Sequence, residues 1–261
     1  MKNGYRKFLI TIFLISICSI LIASCAKKSD LRLPKNFAKK VISNNKPYLN
    51  KEIVYEDYFD PSGGEDFTSG GEDFNINKTL IWKVLINKKG DWKKTVISIP
   101  ENVEKQKTGS FNARVKGIHY DYDVNAREID IAKVSSATKD PIPFYYVASL
   151  ASKAIKNKNF KVEAIQSLLG HKVYLVVSKN YVVSEKTTLS KSRKKILFED
   201  HYWLDATTGR IYKYVQFVDG YTMQSYEIKS TNNASVTSTN LSVNVPKGTK
   251  TIRLSSDEVD K

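Results

Sequence analysis

The chain is poor in the residues that most chemistry needs. Its 261 residues include two cysteines, two methionines and three histidines. No Gly-x-Ser-x-Gly elbow, glycine-rich phosphate loop or His-Glu-x-x-His run occurs. His119, His171 and His201 are far apart, and nothing in their spacing asks for zinc. Asp121 and Asp123 would share one face of a strand, but a solvated strand accounts for them more simply than paired catalytic carboxylates. We therefore expect no catalytic residues, no metal, no cofactor and no enzymatic activity. Acidic residues are also scarce, with 27 Asp and Glu against 42 Lys and Arg, for a net charge of +15. The longest apolar run, Phe8 to Ile22, falls short of the roughly 20 residues a bilayer-spanning helix needs.

What is present begins at the N-terminus. Lys2, Arg6 and Lys7 precede the apolar run, and small residues follow it before Cys25, which is the layout of a secretory signal. Leu21-Ile22-Ala23-Ser24-Cys25 resembles the lipobox of bacterial lipoproteins. That resemblance implies cleavage after residue 24 and lipidation of Cys25. The acyl chains would hold the protein on the extracytoplasmic face of the cell membrane, or on an outer membrane where the source has one. Cys18 leaves with residues 1–24, so the mature domain keeps no free thiol for a disulfide, a nucleophile or a thiolate zinc site. The signal carries three positive charges and no acid, leaving +12 on the remainder. Two readings of that charge stand: attraction to anionic lipids or wall polymers, or solubility in a Lys- and Asn-rich composition. Export makes nucleic acid a poor partner.

The rest of the chain divides into a tether at 25–32, one domain at 33–254 and a charged, disordered tail at 255–261. Within the domain, Phe37, Ala38, Val41 and Ile42 have helical spacing after Pro34. Glu52 to Phe59, Leu80 to Ile86, Trp92 to Ile99, Phe111 to Val115 and Ile129 to Ile131 read as strands, and Tyr120 to Asp123 as strand or turn. An acidic, glycine-rich loop at 61–75 repeats Ser-Gly-Gly-Glu-Asp-Phe at 62–67 and 69–74. It is either a slipped duplication in a surface loop or an acidic tongue for a basic partner or a cation, although its carboxylates lack the alternate-residue spacing of a calcium loop. Asp140-Pro141 predicts a helix start, with Val147, Leu150, Ala151, Ala154 and Ile155 as its apolar face over 141–157. Strands are expected at Phe160 to Leu168, His171 to Ser178, Leu197 to Asp205, Arg210 to Val218 and Tyr221 to Lys229. A polar connection runs from Lys179 to Lys195, and a short apolar element lies at Leu241 to Gly248. The order of elements is α+β, with a large, strongly curved antiparallel sheet covered by one or two helices.

The C-terminal half resembles a family. Gly170-His171-Lys172-Val173-Tyr174-Leu175-Val176-Val177 is similar to the strand after the second helix of the Lol-type lipoprotein-carrier superfamily. Tyr202-Trp203-Leu204-Asp205-Ala206-Thr207-Thr208-Gly209-Arg210-Ile211-Tyr212-Lys213-Tyr214 resembles its hairpin, with Asp219-Gly220 at the next turn and Val243-Asn244-Val245-Pro246-Lys247-Gly248 at the closing element. The resemblance implies an incomplete barrel of about eleven strands, closed on one side by helices, whose concave apolar face accepts acyl chains or a partner's peptide. A diffusing carrier cannot be tied down, so an anchor at Cys25 points to a fixed member of the superfamily. The clostridial spore-germination lipoproteins are one such kind.

Two functions from different classes follow. In the first, a lipid or acylated ligand binds among Leu80, Trp82, Val84, Ile86, Ile129, Ile131, Val173, Leu175, Val177, Ile211, Val215 and Phe217, the apolar faces of the long strands. The competing reading of that space is that helix 141–157 fills it. In the second, the domain is a non-catalytic, membrane-tethered partner of a cell-wall hydrolase, as the germination lipoproteins imply.

Overall fold

The computed structural model describes residues 31–45, 49, 51–59, 78–98, 108–133, 142–183 and 195–254. The signal segment, Cys25, the duplicated loop at 61–75, Asp140, Pro141 and the tail at 255–261 lie outside the described residues. In chain order the elements are α1 (Phe37–Asn44), β1 (Lys51–Phe59), β2 (Lys78–Ile86), β3 (Trp92–Ser98), β4 (Phe111–Val115), β5 (Ile118–Asp123) and β6 (Glu128–Lys133). There follow α2 (Phe144–Lys156), β7 (Lys161–Leu168), β8 (His171–Val183), β9 (Lys195–Asp205), β10 (Ile211–Val218), β11 (Tyr221–Asn233) and β12 (Lys250–Leu254).

All twelve strands join one open sheet in the order β12-β6-β5-β4-β3-β2-β1-β11-β10-β9-β8-β7. The fold is an incomplete half-barrel of the α+β class, with one strand more than expected. Two antiparallel meanders, β1 to β6 and β7 to β11, meet where β1 pairs with β11. The additional strand, β12, runs parallel to β6, with Lys250 opposite Glu128 and Leu254 opposite Ala132. The turns follow from local chemistry. Between β2 and β3, the Asn87 side-chain oxygen accepts from the N–H groups of Lys89 and Asp91 at 2.8 and 3.0 Å.

Register decides which way each side chain faces, because directly paired residues lie on the same side. Ile53, Tyr55 and Asp57 of β1 pair with Val84, Trp82 and Leu80 of β2. Trp82, Val84 and Ile86 pair in turn with Val96, Lys94 and Trp92 of β3. In the other direction, Asp57 pairs with Tyr226, Tyr226 with Tyr214, Tyr214 with Tyr202, and Tyr202 with Val176. This is the face the helices cover. Phe144 of α2 meets Tyr55 and Tyr226 edge-on at 5.9 and 6.4 Å, and Phe37 of α1 meets Tyr174 at 5.7 Å. Phe144, Val147, Ala148 and Ala151 are buried, and Ser152 donates from α2 to the Ala38 carbonyl of α1 at 3.1 Å.

The opposite face carries its own core. Phe111, Ala113, Tyr122 and Ile129 are buried together under Val243 and Val245. The stretch at 241–248, expected as a short apolar element, is irregular chain that lies across β4 to β6 and delivers β12 to the sheet edge.

The buried Asn45 side chain ties the end of helix α1 to the β9–β10 turn. The Asn45 oxygen accepts from the Ile211 N–H at 2.9 Å, and its nitrogen donates to the Gly209 carbonyl at 3.0 Å. Gly209 has φ +74°, and a Cβ there would lie 3.1 Å from the Val41 nitrogen, so the turn and the close approach both need glycine. Asp205 shapes the same turn by accepting from the N–H groups of Thr207 and Thr208 at 2.9 and 2.7 Å.

Two expectations are corrected and one open alternative is resolved. Helix α2 starts at Phe144 with Pro143 at the cap and no side-chain cap bond, in place of Asp140; a proline disfavours helical backbone in the residue before it, here Ile142. Strand β8 continues through Lys179 to Val183, because β9 begins at Lys195 and pairs along its whole length. Tyr120 to Asp123 is strand, paired on both sides within β5.

Candidate functional site

The centre of the helix face is polar, where an apolar lining was expected. A hydrogen-bond relay crosses three strands. Tyr226 donates to Gln224 at 3.2 Å, Gln224 to Gln216 at 3.3 Å, and Gln216 to Asp200 at 3.0 Å; Tyr214 also donates to Asp200, at 2.8 Å. The rings of Tyr202, Tyr214 and Tyr226 pack in series, with centroids 5.4 and 5.9 Å apart. Burial and the Asp200 charge push the phenols of Tyr202 and Tyr214 far up. Burial, then the Asp57 charge, pushes Tyr226 up to about 12. These hydroxyls act as donors throughout the physiological range.

Beside the relay stands a second polar group, on β1, β2 and β3. The Lys94 ammonium sits 3.9 Å over the Trp82 ring and 5.3 Å from the Tyr55 ring centre. Burial pushes Lys94 down to about 8, opposed by the charge of Asp57. Asp57 is raised by burial and drawn back by Lys94 and Trp82. The Trp82 indole nitrogen is buried and meets no acceptor in hydrogen-bonding geometry, although it leans close enough to Asp57 to favour the carboxylate. Tyr55, Val84 and Ile86 are fully buried at one end of this face. Leu80, Trp82, Lys94, Asp57, Gln224 and Tyr226 are half-buried at the other, so that end is partly open.

The structure divides the residues expected to line a cavity. Leu80, Trp82, Val84 and Ile86 stand in one row on the helix face, and Ile211, opposite Leu204, joins that side near α1. Ile129 and Ile131 belong to the opposite face, where they pack with Phe111 and Tyr122 or beside them. Val173, Leu175, Val177, Val215 and Phe217 also face away from the helices, around Trp203 and His201. The twelve residues do not share one surface. A strand buried on both faces gives no alternation from which to choose a side.

Lys94, Asp57, Tyr55 and the relay were not among the expected residues. One signal was present: Lys94 falls in phase with Trp92 and Val96, where an apolar residue belongs.

A hollow of about 190 Å³ lies near the far edge, lined by His119, Asp121, Asp130, Ala132 and Leu254. Burial lowers His119 and raises Asp121. Among the described residues, no three His, Cys, Asp or Glu side chains are placed to hold a metal ion.

No family model and no curated protein matches this chain. Solved structures are similar to it in architecture. An uncharacterised conserved protein from Thermus thermophilus is 11% identical, covers 83% of this chain and 97% of its own, and has a TM-score of 0.46. LprF from Mycobacterium bovis is 10% identical, with coverages of 82% and 95% and a TM-score of 0.41. A LolA-superfamily protein from Nitrosomonas europaea is 8% identical, with coverages of 82% and 99% and a TM-score of 0.33. Nothing that those proteins bind passes to this chain from such a likeness.

Proposed function

We propose that this protein is a non-catalytic lipoprotein, anchored through Cys25 outside the cytoplasm, whose half-barrel holds the acyl part of a lipid or acylated ligand against its helix face. The observation that carries this reading is the half-open row of Leu80 and Trp82, which continues into the buried Val84 and Ile86 on the same side of β2. An acyl chain lying at that open end would bury its methylenes against Leu80 and Trp82 at about 0.8 kcal/mol each.

Native mass spectrometry of the full chain after gentle extraction tests it. A co-purifying acyl species is expected, and a bare protein that takes up no labelled fatty acid would overturn the reading. For the anchor, Cys25→Ser is expected to stay unprocessed and to incorporate no labelled palmitate. Labelling that persists in this variant would remove the anchor from the account.

A second reading, a tethered partner of a cell-wall hydrolase, is supported by one different observation. Strand β7 covers β8 only as far as Val177, so among the described residues the edge from Ser178 to Val183 pairs with β9 alone, with Asn159 donating to the Lys179 carbonyl at 3.3 Å. Tyr181, Val182 and Val183 are exposed there, as an open edge able to take another strand. A hydrolase that co-purifies with the intact chain, and is lost when Val182 is changed to Lys, would favour this reading over the first. Turnover of muropeptides by the purified protein alone would exclude both.

A further inference from the structure

Several lysines of this sheet find an acid. On the face away from the helices, Lys83 reaches Glu52 at 2.8 Å, Lys213 reaches Glu227 at 2.7 Å and Lys229 reaches Glu56 at 2.9 Å. Lys94 does not. Among the described residues its ammonium has aromatic rings on one side and the field of Asp57, but no hydrogen bond and no closed ion pair. Asp57 is approached by the Trp82 nitrogen, which is enclosed and out of hydrogen-bond alignment, and accepts no other hydrogen bond among the described residues. Lys94 and Asp57 thus face a half-open part of the helix face with hydrogen-bonding capacity left over among the described residues. Lys94 offers three N–H donors and Asp57 two acceptor oxygens. Desolvated groups left in this state are costly, and a group that completes them gains accordingly.

We infer that Lys94 and Asp57, walled by the Trp82 ring, form a subsite for the neutral polar head of an acylated ligand, a head carrying both a hydrogen-bond acceptor and a donor, as an amide or a hydroxyl does. The inference rests on the acyl-holding reading above. Charge selects a neutral head, because Lys94 and Asp57 cancel and an anion drawn to the ammonium would also meet the carboxylate. Geometry supplies the orientation. The acceptor oxygen of the head faces Lys94 on β3, and its donor faces Asp57 on β1, on either side of the Trp82 ring on β2. Leu80, paired with Asp57, stands where the head gives way to the chain.

The test is displacement of a fluorescent fatty-acyl probe from the full-length protein by four compounds of one chain length. Palmitamide and monopalmitoylglycerol carry donor and acceptor, methyl palmitate only an acceptor, and palmitate a charge. The amide, the glyceride or both should displace at concentrations about 5- to 30-fold lower than the ester, as one or two net hydrogen bonds provide, and the tighter of the two names the head. Lys94→Met and Asp57→Asn should each draw the amide-to-ester ratio toward one, and Lys94→Arg should keep part of the preference. Circular dichroism establishes that each variant is folded. Equal displacement by ester and amide, a preference that survives both substitutions, or palmitate as the tightest compound would each overturn the subsite while leaving acyl binding intact. Failure of all four to displace the probe, or of the probe to bind, would overturn the acyl-holding reading and the subsite together.

Discussion

Lys93 and Lys94 are neighbours in sequence and face opposite sides of one sheet. Lys93 lies 4.4 Å over the Phe111 ring and donates to the Ser242 carbonyl at 2.9 Å. Lys94 lies 3.9 Å over the Trp82 ring and has no acceptor among the described residues. Burial lowers both ammonium groups. The difference lies in what covers each face. Irregular chain passes over Lys93 and presents a backbone carbonyl, whereas Lys94 stands at the partly open end of the helix face beside the Trp82 and Tyr55 rings. A backbone carbonyl is a strong acceptor, and it completes the first ammonium where rings leave the second incomplete.

The largest effects separate the two faces by their aromatic anchors. Phe144→Ala and Phe111→Ala should each cost about 3–5 kcal/mol in urea unfolding, as large truncations at buried sites do. Hydrogen exchange should then distinguish them. The first variant should release amides of β1 and β11, and the second those of β4 and β5. Uniform release by both variants would mean that the faces fold as a single core.

Next in size is the relay. Tyr214→Phe removes a donor from the buried Asp200 carboxylate and should cost about 1–3 kcal/mol. A cost near zero would mean that Gln216 alone satisfies Asp200.

Asp205 brings pH into the comparison. Burial works to raise it, but the Thr208 and Thr207 N–H groups, the Thr208 hydroxyl and His171 outweigh that and hold it below the usual 3.8. A depressed carboxyl adds stability above the unfolded value and loses it as pH falls through the folded one. Asp205→Asn should therefore destabilise at pH 7 by about 0.5–2 kcal/mol, the size of a lost cap, and the deficit should begin to shrink near the unfolded value of 3.8 and close only below the lower folded one. A deficit independent of pH would assign the effect to packing.

The smallest effect addresses the two lysines directly. Lys93→Met loses the bond to Ser242 and should cost about 1 kcal/mol, while Lys94→Met should cost nothing or stabilise, since it removes a desolvated charge. Lys94 falls from 10.5 to about 8 on folding. Between those values the unfolded chain holds the proton and the folded chain does not, so stability rises with pH across the window. Thermal melts at pH 8 and pH 10 should show that rise in the parent chain and a smaller one in Lys94→Met.

Much of the sheet was legible from local pattern. Alternation placed β1 to β4 and β9 to β11, and Asp205 to Gly209 announced its turn through the Asp and Gly that such turns need. The end of β8 was not legible, because Lys179 and Asn180 are polar and only pairing with Glu199 and Phe198 makes them strand. Strand β12 was hidden for a similar reason. Lys250 to Leu254 is short and mixed, and its partner Glu128 to Ala132 lies more than a hundred residues earlier.

The candidate site was less legible than the fold. The row from Leu80 to Ile86 was found because four alternating apolar residues mark one face of a strand, and that face proved to lie under the helices. The polar groups beside it were missed because a lysine or aspartate in a strand is ordinarily solvated, and only burial makes it unusual.

Composition and local alternation were thus enough to establish an α+β chain rich in strands, with one strongly amphipathic helix and few groups suited to catalysis. Which side each strand turns to the helices, and hence which residues meet, came from pairing between distant segments. Side-chain period is two everywhere in a sheet, so the local pattern is the same for either face, and only the helices and the returning C-terminal chain break that symmetry.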